Sequence, residues 1–241
     1  MSTNTPQPFA DFSDLVLEKD FDLVLSKTDL APDDIKARFG AAMDISGSMG
    51  GEFSSGNVKK TLRILHAPAT RMDDDGNLEV IAYNDKAYPL PDLTSGNIDT
   101  YCTHNSIGGK EIGGYTLFAP VLRALINRWF PVKGGFFGFG GKRKVSDVPA
   151  YLALLSDGNF EENSDLAETI EILKSVADLP VFIHVFLFGG ANMSDWKNMT
   201  ALKNLDVTQV RTLDEICENP TKLYERLLSE KAQAFYKSLK Q

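Results

Sequence analysis

Three short runs, almost wholly apolar and each ending in small or oxygen-bearing residues, limit what this chain can fold into. Residues 38–45 read RFGAAMDI and lead into Ser46-Gly47-Ser48. Residues 151–155 read YLALL and lead into Ser156-Asp157-Gly158, and residues 181–188 read VFIHVFLF before Gly189-Gly190. A strand with one wet face alternates apolar and polar residues. A run that is apolar at both parities must be buried on both faces, as in a parallel sheet covered by helices. Helical spacing lies between the runs: Val58, Leu62, Leu65, Ala69 and Met72 share one helix face, and Leu166, Ile170, Leu173 and Val176 share another. The alternation predicts an α/β fold, a mostly parallel central sheet with helices on both faces.

The rest of the chain fills in around that frame. Residues 12–30 predict a helix or two, in an N-terminal extension over 1–30 docked on one domain that occupies 31–241. Asp73-Asp74-Asp75-Gly76 stops the first long helix. It lacks the alternating oxygen positions and closing Glu of a calcium loop, so it reads as a turn. Residues 78–83 predict a strand that pairs with 86–90 across Asn84-Asp85. A helix starting near Thr116 keeps Pro120 in its first turn, where proline is tolerated. Asp165 with Glu168 three residues on resembles a capping box at the start of the next helix. Ser194 predicts the cap of a helix through Leu202. A strand follows at 207–210, and one long helix over 222–239 closes the chain.

Residues 131–147, PVKGGFFGFGGKRKVSD, form a glycine- and phenylalanine-rich insertion. They lie between a helix and a strand, the wrong order for a phosphate-binding loop. Phe136, Phe137 and Phe139 followed by Lys142, Arg143 and Lys144 suit either a hairpin-like insertion or a tip that touches a partner or membrane.

Composition excludes several function classes. The net charge of −8 over 241 residues offers a nucleic-acid backbone little, so no nucleic-acid partner is expected. The longest apolar stretch, 180–188, is too short to span a bilayer. Two cysteines, Cys102 and Cys217, make neither a disulfide framework nor a zinc pattern. With a polar start that lacks the features of a signal peptide, they make a cytoplasmic location the expectation.

The chemistry concentrates at strand ends. In such sheets ligands bind outside the carboxyl ends of the strands. Asp44, Ser46 and Ser48 stand on one tight loop after the first buried run, Asp157 ends the second, and Thr116 opens a helix. Five hard oxygen groups at one rim suit Mg²⁺, with Mn²⁺ or Ca²⁺ as alternatives. The absence of Cys and His from these motifs disfavours zinc and copper. If the three hydroxyls ligate directly, the inner shell is largely neutral. The metal then keeps an open, electrophilic position that a partner's carboxylate can fill. His104 and Cys102 share a loop near Thr116, but ligation by them is not expected. Trp129 and Trp196 read as core residues, and His66 and His184 as packing or surface residues.

DISGSM after a buried strand, a threonine opening the second helix and SDG after the next strand resemble the metal-ion-dependent adhesion site (MIDAS) of von Willebrand factor A (vWA) domains. ARFGAAMDISGSM, RMDDDGNLEVIAYND, TLFAP and LYERLLSE resemble the A domain of the bacterial tellurium-resistance, TerF-type group, over about residues 30–230. The resemblance implies a Rossmann-like vWA fold with a sheet of about six strands, one of them antiparallel. It also implies Ser46, Ser48 and Thr116 as direct ligands, and Asp44 and Asp157 as direct or water-mediated ones. The chain departs from the family's usual Gly-Gly-Thr by one residue, at Gly113-Gly114-Tyr115-Thr116.

The leading functional expectation is a non-enzymatic binding module. It holds a divalent metal and captures an Asp or Glu carboxylate of a protein partner, in a tellurium-resistance, stress-response or phage-related assembly. Two alternatives stand beside it. One is a Mg²⁺-dependent phosphoryl-transfer hydrolase with Asp44 as nucleophile, although the second acidic residue of such enzymes is missing where Ser46 stands. The other is a structural assembly protein. The sequence does not give the oligomeric state.

Overall fold

The structure is a computed structural model and describes residues 13–133, 142–143, 147–197 and 199–240. In chain order the elements are α1 (Asp14–Leu25), β1 (Arg38–Asp44), α2 (Gly50–Ser54), α3 (Asn57–Met72), β2 (Glu79–Tyr83), β3 (Ala87–Pro89), β4 (Ser106–Ile107) and β5 (Lys110–Glu111). They continue with α4 (Phe118–Trp129), β6 (Val132–Lys133), β7 (Lys142–Arg143), β8 (Ala150–Ser156), α5 (Asn163–Ser175), β9 (Val181–Leu187) and α6 (Ser194–Lys197). The last are β10 (Leu205–Gln209), α7 (Leu213–Glu218), α8 (Pro220–Leu227) and α9 (Glu230–Ser238).

The three apolar runs are β1, β8 and β9, and they sit at the centre of a six-stranded sheet in the order β10-β9-β8-β1-β2-β3. All pairings are parallel except β2 with β3, where Tyr83 faces Ala87 across the short turn read from the sequence. Every residue of β8 and β9 is buried, because both sheet faces are covered. Ala41, Met43, Tyr151, Ala153 and Leu155 point into the core shared with α1, α3, α7, α8 and α9. Ala42, Leu152, Leu154, Ile183 and Val185 point into the other, with α4 and α5. Gly40 lets α4 approach closely, since a Cβ there would lie 2.6 Å from the Trp129 ring.

Helix α1 packs Leu17, Phe21, Val24 and Leu25 into the first core, and Arg71 of α3 holds it with bonds of 2.9 Å to both carboxylate oxygens of Asp22. Helix α3 contains Pro68, whose missing N–H leaves the Ile64 carbonyl without its helical donor. The buried Tyr224 hydroxyl of α8 donates to that carbonyl at 3.0 Å.

Several elements depart from the sequence expectation. Helix α4 begins at Phe118, two residues after Thr116, because Leu117 is extended and donates its N–H to the Asn84 carbonyl. Pro120 still falls in the first turn. The Asp165–Glu168 pair does not cap its own helix, which starts at Asn163. Asp165 instead accepts from the Phe118 and Ala119 N–H groups, each at 2.9 Å, and so caps α4, while Glu168 pairs with Arg123 of the same helix. The predicted helix from Ser194 is one turn, α6. The predicted closing helix is two, since Ser229 breaks it and caps α9 through the Ala232 N–H. At the insertion, Val132 pairs with Arg143 in a two-stranded antiparallel ladder. Phe136, Phe137, Phe139 and Lys144 lie outside the described residues.

Candidate metal centre

The chain runs from β1 to β2 and β3 on one side, then crosses back to place β8 on the other side of β1. The carboxyl ends of β1 and β8 therefore flank the point where strand order reverses, the usual ligand crevice of such sheets. All five residues singled out from the sequence meet there.

Asp44 is the last residue of β1 and is fully buried. Its Oδ1 accepts the Ser46 N–H at 2.8 Å, and its Oδ2 accepts the Ser156 hydroxyl at 2.6 Å and the Thr116 hydroxyl at 3.3 Å. The Ser46 and Ser48 hydroxyls lie 3.0 Å apart, and Ser48 donates to Asp157 Oδ1 at 2.9 Å. One continuous set of oxygens thus links the β1 loop, the threonine loop and the end of β8. Its floor is buried, and its outer edge, at Ser48, is exposed.

Backbone contacts fix the threonine loop. Gly113 N–H donates to the Ile45 carbonyl at 2.8 Å, Gly47 N–H to the Gly114 carbonyl at 3.2 Å, and the Asn84 side-chain amide to the Gly113 carbonyl at 2.6 Å. Gly114 has φ +83°, a conformation that glycine adopts without strain. This loop accommodates the residue by which the chain departs from Gly-Gly-Thr. Tyr115 is extruded to solvent, 70% exposed, while Thr116 beside it is buried against Asp44. Gly158 is equally constrained, because a Cβ there would lie 2.5 Å from the Thr116 hydroxyl.

Burial removes water from the Asp44 carboxylate and pushes its pKa up to about 6, against the opposing hydrogen bonds from Ser156 and Ser46; the Asp157 charge adds to the rise. Burial also raises Asp157, opposed by the Ser48 hydroxyl. A divalent cation at the rim favours the charged form of both, so the donor set fits such an ion: two carboxylates and three hydroxyls, all hard oxygens. Among the described residues, no group of three or more His, Cys, Asp and Glu side chains is placed to hold a metal. Cys102 and His104 line a separate cavity of about 250 Å³ with Phe53 and Lys59.

Reasoning from sequence missed Ser156, Asn84 and Gly158. The available signal was position alone: Ser156 and Gly158 flank Asp157, and Asn84 directly follows the strand paired with β1.

The profile of the family described as vWA-TerF-like, the vWA found in the TerF C terminus, matches residues 36–237. YcbR of Bacillus subtilis (strain 168) is 22% identical over 220 residues, 88% of this chain and 82% of its own. Among solved structures, a von Willebrand factor type A protein from Catenulispora acidiphila superposes with a TM-score of 0.54 at 16% identity, covering 80% of this chain and 43% of that one. Proximal thread matrix protein 1 from the mussel byssus, with a zinc-occupied MIDAS motif, gives 0.50 at 19%, covering 78% and 45%. The pilus adhesin SpaC of Lactobacillus rhamnosus GG, in an open conformation, gives 0.50 at 12%, covering 80% and 30%. This chain spans less than half the length of each of these solved chains. A six-stranded, mostly parallel sheet with one antiparallel edge, and a family profile covering most of its length, lead to one conclusion: the chain belongs to the von Willebrand factor A family, in the branch found at the TerF C terminus.

Proposed function

We propose that the protein is a metal-dependent protein-binding module, not an enzyme. Ser46, Ser48 and Thr116 present hydroxyls to a divalent cation, Mg²⁺ first, while Asp44 and Asp157 act directly or through water. A partner's Asp or Glu supplies the remaining ligand. The observation that carries this reading is the convergence of all five oxygen side chains at the switch point of the sheet. The metal supplies the electrophile that an acidic partner needs, because a protein of net charge −8 otherwise repels a carboxylate. Two structural neighbours support the class, one a pilus adhesin and one a thread protein with zinc at its MIDAS.

The state of Asp44 argues against nucleophilic phosphoryl transfer. Its side chain is fully buried and both carboxylate oxygens are engaged by neighbouring donors, whereas a nucleophile needs one free and facing the substrate. No helix among the described residues is long and apolar enough to cross a membrane. A role in tellurium resistance or another stress response is proposed on the family relationship alone.

Calorimetric titration of Mg²⁺, Mn²⁺, Ca²⁺ and Zn²⁺ into the chelator-stripped protein tests the site. Saturable one-site binding that a Ser46→Ala/Ser48→Ala variant loses is the expected result. Equal binding by that variant would refute the assignment, and turnover of a phosphate monoester lost in Asp44→Asn would refute the non-enzymatic reading.

A further inference from the structure

Tyr115 is the large side chain that the metal rim leaves in water. It is 70% exposed and directly precedes Thr116. Gly113 is bonded to Ile45 and Asn84, Gly114 to Gly47, and Leu117 to Asn84, so the loop is anchored on both sides of the ring. An exposed aromatic on an anchored loop loses little conformational freedom on binding, which makes it an efficient contact. It stands where the chain carries one residue more than the Gly-Gly-Thr pattern, and holding Thr116 near Asp44 does not require it.

The charges on the segments that build the rim indicate what it contacts. A Cβ on Gly114 would lie 3.0 Å from Asp85 Oδ1, so this exposed carboxylate lies against the same loop. Residues 84–86, 110–117 and 157–162 carry Asp85, Glu111, Asp157, Glu161 and Glu162 against Lys86 and Lys110. The Lys110 ammonium is already placed 5.1 Å over the Tyr88 ring. With a partner's carboxylate neutralised on the metal, the remaining field favours a cation beside it, and the open face of Tyr115 attracts one.

We propose that Tyr115 selects partners at this rim: its ring, on the loop that Asp85 lies against, receives an arginine or lysine side chain lying within two residues of the carboxylate captured at the metal. This rests on the metal-dependent binding proposed above, and the test separates the two. A displayed library of heptapeptides with a central Asp is selected on the wild-type protein, Tyr115→Ala and Tyr115→Phe, each in Mg²⁺ and in chelator. Calorimetry measures Mg²⁺ affinity for all three proteins. Equal Mg²⁺ affinities are expected, with Arg or Lys enriched near the Asp by the wild type and Tyr115→Phe, and that enrichment about threefold lower in Tyr115→Ala, the size of an exposed cation–π contact. The same sequences enriched by Tyr115→Ala and wild type would overturn the role of Tyr115 while leaving metal-dependent capture intact. Mg²⁺ binding without Mg²⁺-dependent enrichment would overturn both.

Discussion

At the scale of single residues, the candidate site depends on residues that offer a metal no ligand. Gly158 is the sharpest case, because a methyl group there collides with Thr116. Gly158→Ala is expected to weaken Mg²⁺ binding tenfold or more while the far-ultraviolet circular dichroism stays unchanged, since the collision is confined to the rim. Asp44 makes the proposed metal binding depend on pH. Its carboxylate titrates near pH 6, so protons compete with the metal below that value. Affinity measured by calorimetry is expected to fall roughly tenfold per pH unit below about 6, and to level off above 7. The sign for stability is opposite: a carboxylate whose folded pKa lies above its unfolded one contributes most below about 4 and loses that contribution as pH rises through 6. Mg²⁺ should therefore raise the Tm more at pH 7.5 than at pH 5. The convergence of the five oxygen residues was legible because oxygen side chains at strand ends leave a spacing that can be read. Ser156 and Gly158 were not, since their roles are to bond a buried carboxylate and to leave room for a hydroxyl, and only the folded rim shows either need.

Among elements, legibility followed the range of the interactions. The apolar runs of β1, β8 and β9 and the amphipathic α3 follow from local periodicity. What escaped was exchange between elements: Asp165 looks like a cap for its own helix until α4 is seen starting against it, and Thr116 looks helical until Asn84 takes the Leu117 N–H. Pro68 belongs to the same class. A proline inside a helix normally leaves a carbonyl unpaired, and here an element far along the chain supplies the donor. Tyr224→Phe strands that carbonyl in the core and should cost about 1–3 kcal/mol in urea unfolding. In a Pro68→Ala background the backbone N–H returns, and the same substitution should cost distinctly less. Equal losses in both backgrounds would refute the pairing.

For the molecule as a whole, stability in acid is expected to turn on a histidine that joins three strands. His184 lies in the middle of β9, its Nδ1 3.0 Å from the Tyr151 hydroxyl of β8 and its Nε2 2.8 Å from the Thr208 hydroxyl of β10. Burial lowers its pKa to about 4, well below its unfolded value near 6.5. The sign is that of a depressed group: its contribution is complete above about 6.5 and disappears as pH falls towards 4, for on the order of 3 kcal/mol. Chemical denaturation at pH 7 and pH 4 should show that loss in the wild type and much less of it in His184→Gln, which keeps polar groups near both hydroxyls.

The strand order also governs when the rim can exist during synthesis. Asp44 and the Ser156 that bonds it are 112 residues apart in the chain, and they meet only after β8 has paired with β1. A ribosome adding about 5–20 residues per second leaves the β1 loop without its counterpart for several seconds or longer. A cation cannot template the early chain through a site whose second half has not yet been made. In the metal-dependent module proposed above it enters last, as a seal on a sheet already closed, and its binding then reports that translation and folding have both reached the far side of β1.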